Sequence, residues 1–226
     1  YPRYNYTLQD TAPYMIFANA EESISTTITV TIGGVLKGTY PMLSGESRVE
    51  SYIGANGGPV VVQSNNGAKI IASLLQYRRP GSSGPWIGIT QTMALTDAQI
   101  SDVYVFPHYD FTDLTRYNSI QLANFDAIDT VITVKIGGVV KGTYPMTAGS
   151  SQNVYFLHES GGPVVVSSSN GAKIIATLYE MKRDELGVPW TGQTTMMGVP
   201  WSKLSDTYIY PRYNYTLQDT APYMIF

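Results

Sequence analysis

Cysteine is absent from the 226 residues. Disulfides, thiolate metal sites and cysteine nucleophiles are therefore excluded. Histidine occurs only twice, as His108 and His158, which leaves little for acid–base or histidine–metal chemistry. Charged residues make up 14% and the formal net charge is −3, so the basic footprint of nucleic acid binding is missing. The longest aliphatic runs, such as Val60–Val62, are far too short to span a bilayer as a helix. Glu, Lys and Arg are sparse, and no stretch sustains the i, i+3, i+4, i+7 spacing of an amphipathic helix. No signal peptide is present. The chain opens inside a patterned segment and is read as a mature or excised piece, with any targeting signal upstream of it.

What the chain has instead is tyrosine, in eighteen copies, with abundant Thr, Ser, Val and Gly. That composition favours strands and tight turns. It also has a repeat. Ile28–Met42 and Ile132–Met146 agree at thirteen of fifteen positions, 104 residues apart. The same offset pairs Gly57–Val62 with Gly161–Val166, Asn66–Ala72 with Asn170–Ala176, and Ser101-Asp102 with Ser205-Asp206. Tyr1–Phe17 matches Phe106–Leu122 at three of seventeen positions, but Tyr210–Phe226 at all seventeen. The sequence thus divides into a unit at 1–105, a second at 106–209, and the start of a third at 210–226. An alternating array with a period of 209 residues is expected to continue past both ends.

Within a unit, Thr27–Ile32 alternates Thr with Ile and Val, so Ile28, Val30 and Ile32 share one face. Gly33-Gly34 predicts a hairpin into Val35–Tyr40. Arg48–Ile53, Val60–Gln63 and Lys69–Tyr77 are further strands, the last two joined by a hairpin at Asn65-Asn66-Gly67. Tyr1–Tyr6, Tyr14–Ala18 and Trp86–Thr90 complete about seven or eight strands per unit, and Ala98–Asp102 is a short helical turn. This is an all-β chain, expected to form two tandem antiparallel β-sandwiches of immunoglobulin-like architecture, with a β-barrel as the alternative. No Gly/Ser-rich linker separates the units, so a rigid rod is expected, advancing roughly 30–40 Å per unit.

Phe106-Pro107-His108-Tyr109-Asp110, Ile132–Gly138, Gly161–Val164 and Ile175-Ala176-Thr177 together resemble the repeats of large secreted and cell-surface proteins of filamentous, often thermophilic bacteria. The likeness covers nearly the whole chain; the arginine that often ends the last motif is not in register here. The resemblance implies a cell-surface or extracellular structural module and brings no enzymatic activity with it.

Candidate residues follow the repeat. Tyr1, Pro2 and Tyr4, then Tyr104, Phe106, Pro107 and Tyr109, then Tyr208, Tyr210, Pro211 and Tyr213 form the interdomain or polymer junction. Asn5 and Asn214 begin N-x-[ST] patterns and are candidate glycan acceptors. Trp86 and Trp190 recur at equivalent places and would stack on sugars in a carbohydrate-binding alternative; core or interface packing is the competing role. Asp102 and Asp206, near Asp10 and Asp219, suit turns better than calcium, because no dense run of acidic ligands surrounds them. No catalytic residue, metal ligand or cofactor site is assigned. The expected function is a non-enzymatic extracellular filament, sheath or surface layer, with the chain itself as partner; the seventeen repeated residues are either the next unit's start or a strand given to a neighbouring subunit.

Overall fold

A computed structural model describes residues 1–209 apart from 9, 82, 184, 187–189 and 191. The expectations for Tyr210, Pro211, Tyr213 and Asn214, and for a third unit, lie outside the described residues.

The strands are β1 (Tyr4–Asn5), β2 (Thr11–Asn19), β3 (Thr26–Ile32), β4 (Val35–Met42), β5 (Ser47–Glu50), β6 (Asn56–Gly57), β7 (Val60–Ser64), β8 (Ile70–Arg78) and β9 (Gly88–Met93) in the first half. The second half has β10 (Val103–Phe106), β11 (Tyr109–Phe111), β12 (Arg116–Asn124), β13 (Thr130–Ile136), β14 (Val139–Met146), β15 (Ser151–Val154), β16 (Glu159–Gly161), β17 (Val164–Ser168), β18 (Ile174–Lys182), β19 (Gly192–Met197) and β20 (Val199–Pro200). Short 3-10 turns occupy Asp97–Gln99 and Trp201–Lys203. Among the described residues there is no α-helix, and the fold is all-β.

Every sheet is small and antiparallel. The first half orders its strands β5-β2-β8-β9, β4-β3-β7 and β1-β6. The second repeats this as β15-β12-β18-β19, β14-β13-β17-β10-β20 and β11-β16. Period-two patterning drives the arrangement. Thr26, Ile28, Val30 and Ile32 of β3 are buried and the intervening threonines half-exposed, as strand geometry requires when one face meets the core. Met15 and Phe17 of β2 and Leu74 of β8 come from the other large sheet and enter the same cluster. The second half builds its cluster the same way, from Ile120 and Leu122 of β12, Ile132, Val134 and Ile136 of β13, and Val164 and Val166 of β17. Each fully buried aliphatic side chain contributes ~1.5–3 kcal/mol.

The glycine pair between β3 and β4 has φ of +57° and +76°, and its counterpart Gly137-Gly138 has +57° and +81°. These are the left-handed angles of a primed hairpin turn. Beyond it, both hairpins shift register at the same place, after Val30 and after Val134. Gly38 and Gly142 lie there because Tyr40 and Tyr144 fold over them: an added Cβ would stand 2.1 Å and 2.3 Å from the two tyrosine oxygens.

One expected hairpin is not one. β7 pairs with β3, whereas β8 pairs with β2 and β9. Asn65-Asn66-Gly67 therefore carries the chain from one sheet to the other. Its polar side chains are spent on that crossing: Asn66 Nδ2 donates to Ser25 O at 2.9 Å, and Thr26 Oγ1 donates to Asn66 Oδ1 at 2.6 Å.

The boundary read at 105/106 falls inside β10. That strand lies wholly in the second half's sheet, with Tyr104 opposite Val166 and Phe106 opposite Val164.

Candidate functional site

Three repeated motifs that are far apart in sequence meet at one place in each half. Val60 N donates to Tyr1 O at 2.8 Å, and Gly33 N donates to Pro59 O at 2.9 Å. An added Cβ on Gly58 would fall 1.9 Å from Pro2 O. In the second half Gly137 N donates to Pro163 O at 3.1 Å, and a Cβ on Gly162 would fall 2.1 Å from Pro107 O. The Gly-Gly-Pro motif thus exists because the opening Tyr-Pro or Phe-Pro backbone lies directly on it, where only glycine leaves room.

The aromatic residues around this place are core residues of their own halves. Tyr1 and Tyr4 are in the first buried cluster, and Tyr104, Phe106 and Tyr109 in the second. Pro2 is buried and Pro107 exposed. Tyr1 donates through its hydroxyl to Thr92 O at 2.6 Å, tying the opening residue to β9. Burial raises the pKa of the Tyr4 and Tyr104 phenols to about 12. Tyr208 differs, with 57% of its surface exposed.

Contact between the halves is made mostly by other residues. β9 and β19 lie alongside each other, and Gln193 Nε2 donates across to Gln76 O at 2.9 Å, while its Oε1 accepts from Tyr179 Oη of its own half at 3.0 Å. Leu95 packs against the second half's core. The chain crosses through the 3-10 turn at Asp97–Gln99, after which Ser101 and Asp102 are already bonded to the second half: Ile174 N donates to Ser101 O at 2.8 Å and Ser168 N to Asp102 O at 2.9 Å. Asp102 therefore serves in a turn, where its Oδ1 accepts from Ser101 Oγ at 3.3 Å.

Asn5 accepts through Oδ1 from Thr7 N at 3.1 Å and from Thr7 Oγ1 at 2.7 Å. Asp110 accepts in the same way from Thr112 N and Thr112 Oγ1. The shared element needs only a carbonyl or carboxylate oxygen, which accounts for the Asn/Asp exchange between the halves. Trp86 is 45% exposed, with the Arg79 guanidinium 4.8 Å above its ring. Trp190 carries Arg183 at 4.6 Å in the same manner. Among the described residues, no group of three or more His, Cys, Asp or Glu stands where it could hold a metal, and no helix is long and apolar enough to cross a membrane.

Two features escaped the sequence reading. Asn19 and Asn124 are buried and occupy equivalent places. Asn19 Nδ2 donates to Ile24 O and Leu43 O at 2.7 and 3.1 Å, and Asn124 Nδ2 to Ile128 O and Met146 O at 2.7 and 3.3 Å. Their recurrence 105 residues apart was the available signal. The other is that, among the described residues, β17 lies in a sheet of five strands and β7 in one of three. No known family model, curated protein or solved structure matches this chain.

Proposed function

We propose that this chain is a non-enzymatic structural repeat protein of the cell surface or extracellular space, built of tandem immunoglobulin-like β-sandwiches that stack head to tail. The observation that carries this reading is β10. A segment leaving the 3-10 turn of the first half enters the second half's sheet at once and buries Tyr104 and Phe106 there. With no slack between them, the halves transmit orientation as well as tension, and repetition of that connection builds a rod. The partner is the chain itself, as a longer tandem array or a homopolymer.

Electron microscopy of the purified protein over a range of concentrations tests this. Rods with an axial period of two units, roughly 60–80 Å from strand dimensions, are expected. Particles that stay single and compact throughout would refute it.

Trp86 supports a second reading, a carbohydrate-binding or adhesive repeat, because it is exposed at a place that recurs in both halves. Under it, glycan binding is lost in Trp86→Ala and Trp190→Ala. The stacked arginines already cover one face of each ring, which favours the structural reading.

A further inference from the structure

The two halves treat one repeated lysine differently. In the second half Lys141 Nζ lies 2.7 Å from Glu159 Oε2, and both side chains are partly withdrawn from water. In the first half the equivalent lysine is Lys37, and Ala55 stands where Glu159 does. Among the described residues no ion pair reaches Lys37, which stays exposed. A further cation is placed near it, because Arg3 stands where the second half has His108. With histidine counted neutral, the second half's set carries no formal charge and the first half's set carries two positive charges.

Arg3 and Lys37 line one cleft of about 400 Å³. Ile32 and Val35 give it an apolar wall, Asn56 adds an amide, and Ser151 reaches it from β15 of the second half. No carboxylate lines it. Arg3 commits one donor, with Nη2 giving a hydrogen bond to Asn56 Oδ1 at 2.7 Å. A guanidinium has five N–H donors, and the others bond to no described residue. Burial lowers the Arg3 pKa, and no neighbouring carboxylate opposes that shift. A cation half withdrawn from water without a counterion is unfavourable, and a bound anion relieves it. His108 is half-buried as Arg3 is, although β10 leads almost directly into it, so a preceding strand leaves this position accessible.

We propose that this cleft binds an organic carboxylate of about monosaccharide size, a uronate being the simplest, and that the ligand bridges the two halves. Charge sets the first part of that class. The free edge of the guanidinium suits a carboxylate, and the lysine adds a mobile point charge beside it. Size sets the second. A cleft of this volume lies in the range of small-molecule sites and is far larger than an inorganic ion needs. Asn56 and Ser151 supply hydrogen bonds for hydroxyl groups, while Ile32 and Val35 face the carbon skeleton. Because Ser151 belongs to the second half, a ligand held by it and by Arg3 ties the halves at a second place, apart from the bond between Gln193 and Gln76 O.

Amide NMR of the full chain, titrated with galacturonate at low ionic strength, tests this. Saturable shifts are expected at Gly33, Gly57 and Ser151, and none with glucose, which has the hydroxyls without the charge. Raising the salt to about 0.5 M is expected to weaken binding at least about threefold. Lys37→Gln, at an exposed position outside both cores, is expected to raise the dissociation constant about tenfold. Ser151→Ala is expected to raise it about threefold. Absence of these shifts, equal binding of glucose, or unchanged affinity in Lys37→Gln overturns the site. Inorganic phosphate binding as tightly as galacturonate reduces the cleft to a simple ion site and overturns the organic ligand. Shifts confined to Gly33 and Gly57, with Ser151→Ala unaffected, overturn the bridge between the halves. Rod formation is read separately, by microscopy, and stands or falls without this site.

Discussion

The hydroxyl of Tyr4 accepts a hydrogen bond from the backbone N–H of Tyr52 at 2.8 Å. It donates another to Pro13 O at 2.9 Å. Tyr109 does the same in the second half, accepting from Phe156 N and donating to Asn118 O, both at 2.8 Å. One buried phenol thus ties the opening strand to two other segments in each half. Tyr4→Phe and Tyr109→Phe keep the ring and leave a buried N–H and a carbonyl without that partner. Each is expected to cost ~1–3 kcal/mol, and the two together to add, because they lie in separate clusters. Urea unfolding midpoints measure this; an unchanged midpoint in either variant contradicts the assigned role.

Gly58 and Gly162 are predicted to be the least replaceable glycines. A methyl on either meets backbone, not a movable side chain, at 1.9 Å and 2.1 Å. Gly58→Ala and Gly162→Ala should each lose at least ~3 kcal/mol. Gly192, with nothing within 4 Å of its added Cβ, is the control, and Gly192→Ala should change stability by less than about 0.5 kcal/mol. Thermal unfolding of the three variants decides the matter.

His158 has a φ of +65°, in the left-handed region, and its counterpart Gly54 has +80°. The position requires that conformation because the residue's N–H reaches back across the loop, to Phe111 O at 2.7 Å or to Tyr6 O at 3.1 Å. A non-glycine residue there costs ~1–2 kcal/mol, so His158→Gly should stabilise the protein by roughly 1 kcal/mol. A lower denaturation midpoint would refute this and point to the exposed contact between His158 Nδ1 and Thr112 O.

Glu180 supplies a pH dependence. Burial, helped by the nearby Asp110 carboxylate, raises its pKa above the ordinary value of 4.5, against the opposing pull of His108 and Arg116. The folded state therefore binds the proton more tightly than the unfolded state. The favourable contribution is complete below about pH 4.5 and is lost as pH rises through the folded-state pKa. Glu180→Gln should match the wild type in stability at low pH and exceed it at neutral pH. Parallel denaturation curves at the two pH values check this; equal stability at both would remove Glu180 as the source.

Much of the fold was legible because its signals are local. The Thr/Ile alternation of Thr26–Ile32 fixes which side chains face inward. Gly33-Gly34 fixes a turn, since few residues tolerate those angles. The repeat fixes both halves at once: the strands of one recur in the other, with Gly38 answered by Gly142 and Tyr4 by Tyr109.

Pairing partners were not legible, because a strand does not encode which neighbour its edge meets. Asn65-Asn66-Gly67 looks like a hairpin turn but spans two sheets, and only packing decides that. The placement of Val103–Phe106 was equally hidden. Its alternation marks a strand, but its membership in the second half's sheet follows from Tyr104 and Phe106 filling that core. The sequence by itself determined the strands, the turns and the duplication. Tertiary structure alone decided that the Tyr-Pro, Gly-Gly and Gly-Gly-Pro motifs meet, and that Val103–Phe106 joins the second half's sheet. Those relations join residues roughly 25 to 65 positions apart, and they hold only once burial has brought the backbones together.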